Sequence, residues 1–213
     1  MRNFCWIVKI KENLERIFAD NPDVFVAGDL LWYPVEGNNK IRIAPDAMVA
    51  FGRPKGDRGS YRQWEEGNIT PQAVFEILSP GNTLKEMEKK LIFYEKYGVE
   101  EYYMYDPDNI RLKGWIRKDN RLCEIEQMQE WISPKLKIRF ELTQDDLHIF
   151  GDDGNRFLSP LESELKHQQQ LENAEKEYQE KLNAERQKAE TERQKAERMA
   201  AKLMALGINL EEA

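Results

Sequence analysis

Two cysteines in 213 residues, Cys5 and Cys123, stand far apart, with no second cysteine or histidine beside either. That excludes a CxxC redox pair or a cysteine-based zinc site, and it fits a reducing compartment. The two histidines, His148 and His167, are too isolated to form a catalytic triad or a zinc site. No apolar run approaches the roughly 20 residues that span a bilayer. The opening MRNFCWIVKIKENLERIF also lacks a basic segment followed by a small-residue cleavage site, so the expectation is a cytoplasmic protein without a membrane anchor. An excess of positive charge is missing too, with 32 Lys+Arg against 39 Asp+Glu. Both the first 160 residues and the remainder are acidic on balance, which argues against a dedicated high-affinity DNA binder while leaving room for a local basic groove.

What is there is 33% charged residues, unevenly distributed. Periodicity predicts an amphipathic helix over about Asn3–Ala19, with Phe4, Ile7, Leu14, Ile17 and Phe18 available for its apolar side. DVFVAGDLLWYPV and KIRIAPDAMVAF read as antiparallel strands around the turn EGNNK. The polar stretch 52–68 is a long loop of the kind that is functional or mobile. QAVFEIL is a buried strand, and a helix capped by Asn82 or Thr83 follows it as far as Tyr97 and Gly98. VEEYYMYDPDN, then a hairpin turning at about Lys118–Asn120, then LKIRFELTQDDLHIFGDDGN complete a mixed sheet with helices packed on it, an α/β or α+β domain over 1–160. Residues 161–213 form a tail of helix formers. It holds the repeat AERQKAE (184–190) and TERQKAE (191–197), and seven-residue spacing aligns Leu171, Tyr178, Glu185, Glu192, Met199 and Leu206. Two glutamates on that line leave two readings open, a long solvated helix and a modest oligomerisation helix that would make a homodimer.

Two carboxylates interrupt apolar strand-like runs: Asp46 in IAPDAMVAF and Glu76 in AVFEILSP. Such groups are costly to bury unless a cation or donors compensate them, so neighbouring strands carrying both suggest a divalent-metal site with oxygen ligands, completed by waters and a carbonyl such as that of Ile77. The plainer alternative is a carboxylate paired with Arg42 or capping a turn. A lysine two residues after the glutamate would share its strand face, but Leu78 occupies that position. On the following helix, Leu84, Met87, Leu91 and Tyr94 make an apolar stripe, and Lys90 falls on its edge while Lys85 and Lys89 point away. Lys90 is therefore the lysine best placed to reach inward, unless it is only a surface lysine whose stem lies along apolar neighbours.

Together, P-D-A-M-V (45–49), E-I-L-S-P (76–80), K-L-x-x-Y (90–94), G-V-x-E-Y-Y (98–103) and Y-D-P (105–107) resemble the Uma2 family, formerly a domain of unknown function, within the PD-(D/E)xK endonuclease superfamily. The resemblance covers roughly 23–150, and the tail phrase AERMAAKLMALGINLE (196–211) is similar to that of several members. It implies a restriction-endonuclease-like core and a Mg²⁺-dependent endonuclease, with Mn²⁺ as substitute, acting on DNA. Asp46 and Glu76 would be metal ligands, and Lys90 the displaced catalytic lysine. Members usually have more sequence before the first strand, including a helix that can add an acidic residue; Glu12, Glu15 and Asp29 are candidates here, while Asp106 reads as a turn former. The rival expectation is a catalytically silent nuclease-like module that binds or assembles through its tail.

Overall fold

The computed structural model describes residues 2–205 and divides into two units after Pro160. In the first unit, α1 (Arg2–Ile17) leads into β1 (Val24–Ala27). Next come β2 (Trp32–Tyr33), β3 (Ala47–Phe51), β4 (Tyr61–Arg62) and β5 (Ala73–Ile77). Helix α2 (Leu84–Lys96) then precedes β6 (Glu101–Asp106), β7 (Arg111–Lys118), β8 (Arg121–Glu124), β9 (Arg139–Leu142) and β10 (Leu147–Phe150). Six strands form one mixed sheet in the order β1-β3-β5-β6-β7-β8, in which only β5 and β6 run parallel. The parallel pair is the one that α2 joins, because a parallel connection needs a crossover element.

Strand alternation sorts the sheet into two apolar faces. Val24, Val26, Val49, Phe75 and Tyr103 meet Trp6, Ile10 and Leu14 of α1, together with Phe140 and Ile149 of the β9–β10 hairpin. Phe25, Met48, Ala50, Val74, Tyr102 and Trp115 face the other way, toward Tyr94 of α2, Trp32 and Tyr61. Each fully buried large side chain contributes roughly 1.5–3 kcal/mol. All five residues of β5 are buried, as expected for a central strand covered on both sides. The charge of Glu76 is therefore set in the least hydrated part of the sheet.

The strands around EGNNK differ from a simple hairpin. β1 and β3 do pair antiparallel, with Val24 opposite Phe51 and Ala27 opposite Met48. Between them, Asp29 turns left-handed (φ 48°) and the chain leaves the sheet. Burial of the Trp32 indole explains the departure: it is 0% exposed, lies edge-on to Phe93 and parallel to the Tyr94 ring, and donates through Nε1 to Gln63 at 3.1 Å. As a result β2 pairs in parallel with β4 in a small second sheet. The 52–68 stretch is pinned, since Arg53 and Arg58 both bind Glu66, at 2.8 and 2.6 Å.

In the second unit, α3 is a continuous helix over Pro160–Ala205, none of it buried. Leu206 and the phrase that follows it lie outside the described residues. Among the described residues no helix is long and apolar enough to cross a membrane.

Candidate functional site

Asp46 immediately precedes β3. The β3–β5 register sets Ala47 opposite Phe75, so one step further sets Asp46 opposite Glu76 on the face covered by α2. The Pro45 carbonyl, which the register sets opposite Ile77, accepts instead from the Asp29 N–H at 3.1 Å, and the Asp46 carboxylate takes over the last ladder position by accepting the Ile77 N–H at 2.6 Å. Asp46 is thereby bonded to main chain rather than to Arg42, whose side chain is exposed.

Glu76 is 2% exposed, and both its oxygens are engaged from α2. Lys90 Nζ lies 2.5 Å from Oε2, and the Tyr94 hydroxyl donates to Oε1. Lys90 and Tyr94 are one helical turn apart, so they present adjacent donors on one side of the helix. The helix is fixed by a Thr83 N-cap with a reciprocal bond from Glu86. Its stripe runs Met87, Leu91, Tyr94; Leu84, in the first turn, is 86% exposed instead. Lys85 and Lys89 are exposed, whereas the Lys90 side chain keeps 25% of its surface and spans from the acid pair to solvent.

Burial pushes the Glu76 carboxyl up to about 7, against the pull of Lys90 and with a further push from Asp46. Asp46 is also raised, first by burial and then by the charge of Asp29, while the Ile77 N–H and Lys90 oppose the rise. Two carboxylates, one buried and one half-buried, thus share the site with the Lys90 ammonium.

Of the other acidic candidates, Asp29 lies beside Asp46, its N–H donating to the Pro45 and Asp46 carbonyls at 3.1 and 3.3 Å. Glu12 and Glu15 are exposed on α1, whose buried side chains pack on the opposite face of the sheet, and Glu15 pairs with Lys11. Asp106 accepts from Asp108 and Asn109 in the turn after β6. The Ile77 carbonyl accepts a bond of 3.2 Å from Asn3. Sequence reasoning gave Tyr94 only an apolar role, although its place four residues after Lys90 was a readable sign of a second donor.

Among the described residues no three His, Cys, Asp or Glu side chains converge on one point. The facing pair still suits a hard divalent cation, because its donors are carboxylate oxygens and its charge is under-compensated; Mg²⁺ commonly binds through one or two carboxylates and retains waters.

A mixed sheet with helices on both faces, followed by a long charged helix, is the restriction-endonuclease-like class of α/β core. The chain belongs to the Uma2 family, whose model, described as "Putative restriction endonuclease", matches residues 7–146. A crystal structure of a "putative nuclease belonging to DUF820" from Anabaena variabilis ATCC 29413 is similar to it, at 14% identity. That match covers 63% of this chain and 72% of the other, with a TM-score of 0.47. No curated protein matches the chain.

Proposed function

We propose that the protein is a Mg²⁺-dependent endonuclease that hydrolyses DNA phosphodiester bonds. The observation that carries this reading is the cross-strand pair Asp46 and Glu76 with Lys90 ion-paired to Glu76 and partly open to solvent. Family membership supports a nuclease in general; the metal, the DNA and the residue roles are our reading.

Asp46 and Glu76 would hold the cation. A bound Mg²⁺ supplies a water of lowered pKa and shields negative charge on phosphate. In the hydrolysis, a water oxygen bonds to phosphorus, the bond from phosphorus to the leaving sugar oxygen breaks, and the water proton is passed on as the leaving oxygen gains one. Lys90 donates hydrogen bonds to the attacking water and to phosphate oxygens as charge builds there. Tyr94 keeps the Glu76 carboxylate from rotating, and the Ile77 N–H does the same for Asp46.

The test is nicking of supercoiled plasmid with Mg²⁺, Mn²⁺ or chelator. Wild type should nick only with a divalent ion, and Asp46→Ala should lose more than about 100-fold. Lys90→Ala should lose cleavage while keeping Mn²⁺ affinity, and Lys89→Ala should stay active. Undiminished nicking by Asp46→Ala would sink the assignment of the site. A wild type that binds Mn²⁺ but cleaves neither DNA nor RNA would favour a silent binding module.

A further inference from the structure

Tyr102 has a buried hydroxyl with no hydrogen-bond partner among the described residues, and its residue is 0% exposed. Leaving such a group unpaired costs about 1–3 kcal/mol, and native interiors rarely keep one without a use. Its surroundings suggest the use. Tyr102 pairs with Val74 across the β5–β6 ladder, one alternation from the Glu76–Met104 pair, so Tyr102 and Glu76 project from the same face. Its ring lies 5.0 Å from that of Tyr94, whose hydroxyl already donates to Glu76, and the Trp115 ring stacks on it from the β7 side at 4.9 Å. Stacking on one side and the α2 packing on the other hold the phenol in place. The charged groups it feels are Glu76 first and Asp46 second, which, after burial itself, push its ionisation upward.

Lys90 has three N–H donors, and a phosphate at the site competes with Glu76 for them. Once its ammonium turns outward, the buried Glu76 loses the only ion-pair partner and one of the two side-chain donors that it has among the described residues. We infer that Tyr102 is a positioning residue whose hydroxyl takes over the Glu76 oxygen released by Lys90, so that two tyrosines hold the carboxylate while the lysine is engaged with substrate. The inference rests on the hydrolytic role proposed for Lys90, but the exchange of donors is a property of the protein alone and is measurable without substrate. The hydroxyl is then a donor held in reserve, and its unpaired state belongs to the resting protein.

The experiment is a double-mutant cycle on the full chain without added cation, read by urea unfolding of wild type, Tyr102→Phe, Lys90→Met and the double variant. With Lys90 present, Tyr102→Phe should leave stability unchanged or raise it, because the lost hydroxyl had no partner. With Lys90→Met, the same change should favour unfolding by about fivefold in the equilibrium constant, the worth of one buried hydrogen bond. An additive cycle overturns the inference. Should Lys90→Met fail to fold, Mn²⁺ titration followed by electron paramagnetic resonance decides: affinity about tenfold weaker in Tyr102→Phe supports it, and unchanged affinity overturns it. A non-additive cycle in a protein that cleaves nothing would remove the nuclease reading and leave the donor exchange standing.

Discussion

At the scale of single residues, the site is governed by the cost of burying Glu76. Its carboxyl is pushed from an ordinary 4.5 up to about 7, so the folded protein binds a proton there more tightly than the unfolded chain does. The unfavourable contribution is therefore absent below about pH 4.5 and grows as pH rises toward 7, to an order of about 3 kcal/mol. Glu76→Gln removes the ionisation and keeps the shape. Without added cation it should be more stable than wild type at pH 8, with the advantage shrinking toward pH 4.5 in urea titrations at the two pH values, and it should be inactive. A variant destabilised equally at both pH values would show that burial of the charge is not what sets this energy. The acids and the lysine were legible because a charge in an apolar strand demands a partner, and because helical geometry leaves only Lys90 near the stripe. Tyr94 and Tyr102 were not, since an aromatic at a core position looks the same whether its hydroxyl is used or not.

At the scale of elements, the reach of Lys90 to Glu76 depends on where α2 starts. Thr83 satisfies the Glu86 N–H and Glu86 returns a bond to the Thr83 N–H, which fixes the first turn and hence the rotation of everything after it. At the far end Gly98 adopts φ 90°, and Arg117 binds the Glu95 carbonyl at 2.6 Å. Thr83→Ala should cost about 1 kcal/mol of stability in urea titrations. If the start sets the rotation, the same variant should also lower cleavage while Mn²⁺ affinity holds; unchanged cleavage would show that the C-terminal anchors alone position Lys90. The structure places the cap at Thr83; the start of this helix was readable to within one residue, Asn82 or Thr83, and its end from Tyr97-Gly98. The excursion between β1 and β3 was not, because what draws Trp32 off the sheet is contact with Phe93, Tyr94 and Tyr97, more than 60 positions away.

At the scale of the whole molecule, α3 carries Leu171, Tyr178 and Met199 on one heptad line at 57%, 64% and 68% exposure, interrupted by Glu185 and Glu192. Apolar residues left this open gain free energy by pairing with another copy, and the two glutamates limit the gain. Glu185→Leu combined with Glu192→Leu should shift the full chain toward dimer at a given concentration in sedimentation equilibrium. An unchanged mass would mean that this line of α3 is not where copies meet. The heptad could be read from spacing alone; its strength could not, because that depends on how deeply a glutamate at the seam is buried by a partner.

The bond from the Ile77 N–H to the Asp46 carboxylate has a practical consequence. Because the Asp46 carboxylate substitutes for main chain in the ladder, the amide of Ile77 is wired to the charge of that carboxylate and to little else. Its proton resonance is a local gauge of the site that needs neither substrate nor turnover. Titrating Mn²⁺ or acid should move or broaden the Ile77 amide signal before that of the Ala73 amide at the other end of the same strand. A shift common to both would show that the strand responds as a body and that Asp46 is not the group being read.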